Sequence, residues 1–541
     1  MTNTDPNFWF LPASSMPRTP HFTSGNEVTP LIDGEAYMSH LAARIAEMQS
    51  GDYFHQTGWR VTPDQLLEPT LSGPPTFMQQ VTALINKGVT VRAILWYHFG
   101  SSLLSWTLPS VISDLAYKHP SENMKFVSTI NSLNHPNGAA ILDDRIPSLK
   151  IASHHQKTII LKAGDFDWAY VGGIDICVDR WDTPEHISPP QRQKEFLDAW
   201  HDVQVSVRGP AVAQVWENFR QRWNDPTSPH HILGGSTPPI ITDPPPIDVT
   251  IGSEYVQVLR TLACDGVYSF MPDGEQTVRL AYEQAIDRAQ HYIYIEEQYF
   301  WPCTIIDKLQ QAADRGVKII LLLSHRYDLR GISIVHERMR ASAVNRIRQN
   351  TPANIFVYHL QQTALDKDIY VHAKLMIVDD CYVAVGTANI GLRSHTTDSE
   401  LHLGIVDGDT VTGSMNGVSV QVCKFAKELR LNLWREHLGL PDSSTIDDPI
   451  LGLVQWPDQT SSNPAAPNRR HHAVCHHVQL GTVNQQSLRR FIIELIKLNF
   501  VLPLALPDIP LDLIPDAVLE GLIPDPEGFI RDHIMNVETT C

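Results

Sequence analysis

The sequence predicts an α/β protein made of two similar lobes, and two observations support this prediction. First, both halves contain a helical pattern, then a glycine, then a short apolar strand: residues 86–95 (NKGVTVRAIL) and residues 315–323 (RGVKIILLL). A glycine that ends a helix before a buried strand is typical of α/β layers, although two unrelated α/β lobes would also show it. Second, a proline-rich segment at residues 229–249 separates the halves.

The length of the chain fits this division. It has 541 residues, enough for two large lobes with flanking segments. A second break, rich in Pro, Ser, Asp and Asn, spans residues 442–468. We therefore predict five segments: an N-terminal arm (1–24), a first lobe (25–228), a linker (229–249), a second lobe (250–440) and a C-terminal extension of unknown role (441–541).

Composition and charge limit the classes of partner. Acidic side chains number 60 and basic ones 42, which gives a formal net charge of −18. Nucleic-acid phosphates attract clustered Lys and Arg, so we expect no nucleic-acid partner. The N-terminus shows no basic region followed by an apolar stretch, and the most apolar run, residues 491–506, is too short to span a bilayer. We expect a cytoplasmic protein, with a peripheral membrane location as the alternative.

Each predicted lobe carries a histidine two residues before a lysine. The first pair is His155 and Lys157, and the second is His372 and Lys374. Residues i and i+2 of a strand point to the same side, so each imidazole and its ammonium group should face the same way. One such pair can arise by chance, but two pairs in two similar lobes are a strong signal.

A glycine-bounded polar residue and then a carboxylate follow each pair. In the first lobe these are Asp175 and Asp202, and in the second lobe Asn389 and Glu400. The difference in residue number between corresponding positions of the two copies falls steadily along the chain, as expected if the second copy has shorter loops. The duplication therefore extends from the helix–strand pattern to the residues that can do chemistry.

These motifs resemble the phospholipase D superfamily, whose signature is a duplicated HxKxxxxD, and most closely the eukaryotic-type catalytic core. The resemblance implies two α/β/α lobes with pseudo-twofold symmetry and one active site between them, and it covers about residues 30–440. The matching segments are residues 154–158 (HHQKT), 172–177 (GGIDIC), 180–186 (RWDTPEH), 200–203 (WHDV), 256–261 (VQVLRT), 294–300 (YIEEQYF), 370–380 (YVHAKLMIVDD) and 433–439 (LWREHLG).

The residue types suit attack on a phosphodiester. One imidazole can attack phosphorus while the other protonates the departing alkoxide, and the resemblance assigns these roles to His155 and His372 respectively. We expect Asp202 to orient His155, and Glu400 to orient His372 and hold up its pKa.

The remaining polar groups would neutralise the phosphate. Both lysines, with Asn389 and Asp175 or backbone N–H groups, would hold the non-bridging oxygens. No cofactor and no metal ion is then required, because positive charge from the protein takes the place of a cation.

The signature is incomplete in the first lobe. Lys162 stands where the pattern expects aspartate, and Asp165 or Asp167 could substitute through a small insertion. Asp379, its counterpart in the second lobe, is expected to be a structural residue at the end of a strand. We also expect His154 and His201 to be structural neighbours of the site.

The C-terminal extension carries two weaker signals. Four histidines at positions 471, 472, 476 and 477 could suggest a metal site, but a loop-like segment is a poor framework for one. Residues 488–498 have helical periodicity, which fits a helix that caps the lobes better than one that docks on a membrane.

The favoured function is therefore hydrolysis of a phospholipid to phosphatidate and alcohol, with transfer to other alcohols as a possible side reaction. One chain contains both histidines, so we expect a monomer. The expected partners are the phospholipid substrate and, transiently, a membrane surface. Two alternatives stay open: a phosphodiesterase or transferase acting on a nucleic acid or a small molecule, and a non-catalytic lipid-binding scaffold.

Overall fold

The computed structural model of the chain describes thirteen stretches. These are residues 3–69, 73–97, 110–145, 152–187, 199–228, 239–243, 246, 249–264, 266–301, 303–325, 333–362, 367–457 and 472–476. Most of the predicted linker, and the predicted helix at residues 488–498, lie outside the described residues.

Eight strands belong to the first half of the chain. They are β1 (Thr23–Ile32), β2 (Tyr53–Gly58), β3 (Thr90–Trp96), β4 (Gly138–Asp143), β5 (Thr158–Ala163), β6 (Phe166–Gly172), β7 (Ala199–His201) and β8 (Val203–Arg208). Seven of them form a mixed sheet in the order β4-β3-β2-β5-β6-β8-β1. Its central strands are buried, as their runs of Val, Ile and Leu predict.

The second half repeats this order. Its strands are β9 (Glu254–Leu262), β10 (Glu275–Gln276), β11 (Tyr292–Glu297), β12 (Lys318–Leu323), β13 (Ile355–Gln362), β14 (Lys367–Val371), β15 (Lys374–Val378), β16 (Tyr382–Gly386), β17 (Glu400–Asp407), β18 (Thr410–Met415), β19 (Val418–Cys423) and β20 (His472–His476). The sheet order is β13-β12-β11-β15-β16-β17-β9. The predicted duplication is therefore present in the topology.

Helices pack against both halves of the sheet. In the first half they are Asp33–Glu47, Phe77–Lys87, Ser110–Ser132 and Ala211–Asn224, and in the second half Thr277–Arg288, Thr304–Asp314, Ser333–Ile347 and Lys424–Leu438. Short helices span Pro6–Trp9 and Leu392–Thr396, and 3-10 turns span Ala13–Ser15, Pro352–Asn354, Ser444–Ile446 and Leu451–Gln455.

Gly88 ends the helix Phe77–Lys87 with a φ of 98°, which explains why glycine stands at this position. Within the described residues, no helix combines the length and the apolarity that a bilayer span requires.

The two halves meet as one continuous sheet. Strand β1 pairs with β9 in antiparallel fashion, with Thr23 opposite Val256. A second junction forms where the short strand β7 of the first half runs parallel to β14 of the second. This junction brings His201 next to Val371, immediately before His372.

The N-terminal arm packs on the second lobe. Trp9 is 1% exposed and its ring stacks on Tyr382 with centroids 5.7 Å apart. Arg18 forms an ion pair of 2.7 Å with Glu275, and the Gln257 side chain bonds the backbone of Leu11. The N-terminal arm therefore packs into the core of the second lobe, although the first lobe is nearer to it in the sequence.

Replacing Trp9 by alanine should destabilise the fold strongly. The substitution removes a buried, stacked ring, and loss of such a side chain costs about 3–5 kcal/mol of unfolding free energy. Urea unfolding followed by circular dichroism measures this cost. Val454→Ala is the control, since that side chain is 81% exposed and should change the free energy by less than about 0.5 kcal/mol. A cost below about 1 kcal/mol for Trp9→Ala would mean that the arm does not pack as described.

Candidate active site between the two lobes

Both histidine-lysine pairs lie at the beginning of central strands. Strand β5 starts immediately after Lys157, and β15 starts at Lys374. The prediction that each whole pair lies within a strand is therefore wrong, because the chain is irregular at both histidines. The irregular backbone is compensated across the lobes: the N–H of His155 donates to the Ser399 carbonyl at 2.9 Å, and that of His372 donates to the His201 carbonyl at 2.8 Å.

These two backbone bonds are equivalent under the pseudo-twofold. Each histidine is attached to the residue that immediately precedes the carboxylate of the other lobe. Parallel strand pairing extends each contact: His154 forms a β-bridge with Ser399, and β14 pairs with β7. The two lobes thus build one site together.

The carboxylates are consequently exchanged between the lobes, which corrects the predicted pairing. His155 Nδ1 lies 3.0 Å from Glu400 Oε2, and His372 Nδ1 lies 2.7 Å from Asp202 Oδ2. The order of these residues in the chain had suggested that Asp202 contacts His155 and that Glu400 contacts His372. The structure shows neither contact. The reason is geometric: each carboxylate directly follows the residue whose carbonyl accepts the N–H of the opposite histidine.

Burial favours the neutral form of both imidazoles. Desolvation lowers the pKa of His155 and of His372 well below 6.5, and the nearby charges of Lys157 and Lys374 lower both pKa values further. The expectation that Glu400 would hold up the pKa of His372 is therefore wrong: the carboxylate beside this ring is Asp202, and the net effect of burial and neighbouring charges lowers the pKa. With Nδ1–H donating to the carboxylate, Nε2 of each ring is left to face a substrate.

The two carboxylates have different environments. Thr387 donates its hydroxyl to Glu400 Oε2 at 2.5 Å, whereas the backbone N–H of Val203 donates to Asp202 Oδ1 at 2.8 Å. Burial raises the pKa of Glu400 to about 7 and also raises that of Asp202. A Cβ at Gly173 would lie 2.0 Å from Asp202 Oδ1, so only glycine fits there. The pseudo-symmetry is thus broken at the residues that hold the histidines.

The ammonium groups are held in place by buried acceptors. Lys157 Nζ lies 3.4 Å from Asp175 Oδ2, and Asp175 Oδ1 also accepts the backbone N–H groups of Trp59 and Arg60. Lys374 donates to Gln298 Oε1 at 2.9 Å. Asp175 is therefore placed to position Lys157, and its predicted contact with phosphate stays a prediction. Gln298 was not predicted, although it lies in the YIEEQYF segment.

Asn389 is the counterpart of Asp175 in the second lobe. It is 4% exposed, and its Oδ1 accepts no hydrogen bond from any residue that the structure describes. Its contact with phosphate stays a prediction, and the group that would donate to a phosphate oxygen is the Nδ2 amide, since Oδ1 can only accept.

Aromatic rings surround both histidines. Trp59 meets His155 edge-on at 6.4 Å and stacks on Trp96 at 5.6 Å. On the other side, Trp200 lies 4.9 Å from the ring of His372 and stacks on Tyr370 at 4.6 Å. These rings exclude water and strengthen the electrostatic interactions inside the site.

Asp379 and Lys162 differ in role, although they occupy equivalent positions. Asp379 accepts the backbone N–H groups of residues 290–292 at distances of 2.7–2.9 Å and so anchors the start of β11, as a structural residue would. Lys162 is exposed. It lies opposite Asp167 in the register of the β5–β6 hairpin, which is longer than the corresponding β15–β16 hairpin of the second lobe. Asp167 accepts the hydroxyl of Tyr53 at 2.8 Å and Asp165 is exposed, whereas Asp379 is buried.

His154 and His201 both lie in buried networks. His154 Nε2 lies 2.9 Å from Asp143, and its Nδ1 lies 3.0 Å from the hydroxyl of Ser399. His201 Nε2 lies 2.9 Å from Glu296. These contacts agree with the structural role expected for both residues.

Activity should fall at high pH because of Lys374. Burial lowers its pKa from 10.5 to about 8, so its positive charge is present below that pH and is lost above it. We expect kcat/KM, which reports the free enzyme, to fall about tenfold per pH unit above about pH 8. In Lys374→Arg the guanidinium stays charged, and the fall should disappear; in the control, Lys157→Arg, it should remain. An unchanged fall in Lys374→Arg would contradict this assignment.

Two family models match the chain. The model described as phospholipase D matches residues 57–325, and the model described as cardiolipin synthase, PLD-like domain, matches residues 282–417. Both histidine-lysine pairs fall within these ranges.

Two curated relatives match more than half of the chain. Phospholipase D A of Dictyostelium discoideum is 30% identical over 53% of this chain and 27% of its own length. Phospholipase D1 of Saccharomyces cerevisiae is 25% identical over 76% of this chain and 28% of its own length. The chain therefore spans little more than a quarter of the length of these relatives.

A solved structure shares the fold. The crystal structure of phosphatidylserine synthase from Haemophilus influenzae superposes with a TM-score of 0.51 and 11% sequence identity, and it covers 74% of this chain and 84% of that protein. At this identity the likeness concerns the fold alone.

Proposed function

The chain belongs to the phospholipase D superfamily, and on this basis we propose that it hydrolyses the head-group phosphodiester of a glycerophospholipid to phosphatidate and an alcohol. The observation that carries the proposal is the single buried site in which each lobe supplies a histidine and the carboxylate of the opposite histidine. The catalytic residues are His155, Lys157, His372, Lys374, Asp202 and Glu400, and Asn389 binds a phosphate oxygen.

The first step forms a bond between His155 Nε2 and phosphorus. The bond from phosphorus to the head-group oxygen breaks, and His372 Nε2–H donates its proton to that oxygen. The phosphodiester brings its own negative charge into the site, which raises the pKa of His372 and allows this ring to be protonated when substrate is bound. Glu400 stabilises the positive ring of His155 as the bond forms.

The second step releases the product. His372, now neutral, removes a proton from water, the oxygen attacks phosphorus, and the bond to His155 breaks. Another alcohol in place of water gives transfer instead of hydrolysis. During both steps Lys157 and Lys374 neutralise the non-bridging oxygens, which is the principal electrostatic contribution to such a transition state.

Head-group release from a panel of phospholipid vesicles tests the proposal and its independence of divalent ions together. Because the two ammonium groups supply the positive charge, we expect release of alcohol and formation of phosphatidate at an initial rate that added EDTA leaves within about twofold. A soluble phosphodiester must be included, since calcium also acts on anionic membrane surfaces directly. Immediate loss of activity with EDTA that magnesium or zinc restores would show that the charge argument is wrong.

The same panel separates the alternatives. Turnover of a nucleic acid or a soluble diester without any turnover of phospholipid would reject the lipid substrate but keep the chemistry. Lipid binding without turnover of any diester would indicate a scaffold. We further propose that the monomer is sufficient, because one chain supplies both histidines, and that the protein meets the membrane surface only transiently.

A further inference from the structure

A second group of imidazoles and carboxylates lies next to the active site. It consists of Asp33, His186, His201 and Glu436, which we call the buried cluster. None of the four residues is more than 6% exposed. They come from distant parts of the chain: Asp33 begins the helix Asp33–Glu47, and Glu436 lies in the helix Lys424–Leu438.

The four side chains offer one atom each within a small volume. The candidate atoms all lie within 4.8 Å of one another. His201 Nδ1 is 3.0 Å from Asp33 Oδ1 and 3.4 Å from Glu436 Oε1, and His186 Nε2 is 3.9 Å from Glu436 Oε1. Four ligands at about 2.0–2.1 Å from a tetrahedral zinc ion are roughly 3.3 Å apart, so these distances surround a space of the right size.

A carboxylate holds the other nitrogen of each imidazole. His201 Nε2 lies 2.9 Å from Glu296 Oε2, and His186 Nδ1 lies 3.3 Å from Asp182 Oδ2. Histidines that bind metal ions typically donate their second N–H to a carboxylate in this way, which fixes the tautomer and directs the free lone pair at the metal. The arrangement occurs at both histidines of the cluster.

One polar atom of the cluster, the buried Asp33 Oδ2, makes no hydrogen bond or ion pair to any described residue. His201 Nδ1 has only Asp33 Oδ1 and Glu436 Oε1 of the cluster within 4 Å. A buried carboxylate oxygen without a partner is costly, and a cation held by the cluster would satisfy it. In the described part of the chain, the ion-pair partners of Asp33, Glu296 and Glu436 are histidines only, so no lysine or arginine compensates these carboxylates.

We propose that the buried cluster binds one divalent transition-metal ion, with zinc as the best fit. Two imidazole nitrogens favour zinc and its neighbours over calcium or magnesium, which prefer oxygen ligands. The ion does not touch the phosphodiester. It joins the start of the first lobe to the last long helix of the second, and it fixes His201, whose carbonyl accepts the N–H of His372. Its role is therefore to hold the two lobes in register at the acid side of the active site.

The metal content of the purified full chain tests this proposal. Protein is produced in medium supplemented with zinc and manganese, dialysed, and analysed by mass spectrometry of the elements. We expect about one equivalent of zinc or manganese in the wild type, and at least a tenfold loss in Glu436→Gln, which keeps the shape of the side chain. His325→Gln is the matched control, because His325, His359 and Asp368 form a separate, partly exposed cluster of the same residue types. It should keep the full equivalent.

X-ray absorption of the wild-type protein provides a readout that does not depend on how the variants fold. The proposal predicts nitrogen and oxygen ligands, with two imidazoles and no sulfur. Less than about a tenth of an equivalent in the wild type, equal metal content in wild type and Glu436→Gln, loss of the metal in His325→Gln, sulfur ligands, or calcium as the only ion bound would each overturn it. Because metal content is measured without substrate, the outcome is independent of whether the protein hydrolyses phospholipids.

Discussion

The substitution His155→Ala should abolish the burst of leaving-group release with every substrate, whereas His372→Ala should abolish it only where the leaving group needs a proton. His155 supplies the nucleophilic nitrogen, and no other group can form the covalent intermediate. Loss of a nucleophile costs on the order of 10³-fold or more in kcat. His372 supplies a proton, so its absence should matter for an alkoxide and little for a nitrophenolate.

Rapid-quench kinetics with a phospholipid and with a nitrophenyl phosphodiester measures this difference. For His372→Ala we expect a burst with the nitrophenyl ester within about tenfold of the wild-type rate, followed by slow turnover. His154→Gln is the matched control, since this neighbouring histidine contacts Asp143 and Ser399 and has no role in the reaction. A normal burst in His155→Ala, or none in His372→Ala with the nitrophenyl ester, would contradict the assigned roles.

The exchange of carboxylates between lobes gives the second large effect. Glu400→Gln should behave like a defect in His155 and remove the burst with both substrates, because Glu400 is the group 3.0 Å from that ring. Asp202→Asn should behave like a defect in His372 and keep the burst with the nitrophenyl ester. Replacing the carboxylate that orients a catalytic histidine costs on the order of 10³-fold or more, since the amide favours the wrong tautomer.

Two comparisons make this test specific. Asp379→Asn changes another buried carboxylate, one that accepts three backbone N–H groups, and should leave the burst unchanged even if stability falls. Double variants add a second criterion: Glu400→Gln should add little to His155→Ala, because both act on the same ring. If the pattern were reversed, with Asp202→Asn removing the burst, each lobe would hold its own histidine and the observed pairing would not be the functional one.

The sequence was sufficient to predict the architecture and the residues at its centre. Duplicated spacing predicts two lobes, and the resemblance to the phospholipase D superfamily implies one site between them, where two imidazoles and two ammonium groups suit a single phosphodiester. These inferences depend on residue types, spacing and motifs, which the sequence contains directly. The same holds for Gly88, which ends a helix where the pattern predicted it.

The errors concern contacts between distant parts of the chain. Asp202 follows His155 and Glu400 follows His372, so proximity in sequence suggested pairing within each lobe; the junction of β7 with β14 reverses it. The contact of Asp175 with Lys157 was not predicted, and the role of Asp175 in binding phosphate stays a prediction. The pKa of His372 depends on burial, which no local pattern reveals. The place of the N-terminal arm on the second lobe was equally hidden.

The most direct test of the account is to identify the residue that carries the phosphoryl group during turnover. The protein is mixed with substrate, quenched in alkali to preserve phosphohistidine, digested and analysed by mass spectrometry. Wild type should carry the phosphoryl group on His155, and the fraction labelled should rise in His372→Ala with a nitrophenyl ester, because hydrolysis of the intermediate also needs His372. Phosphorylation of His372 with His155 unmodified would reverse the roles, and full turnover without any phosphohistidine would contradict the two-histidine mechanism.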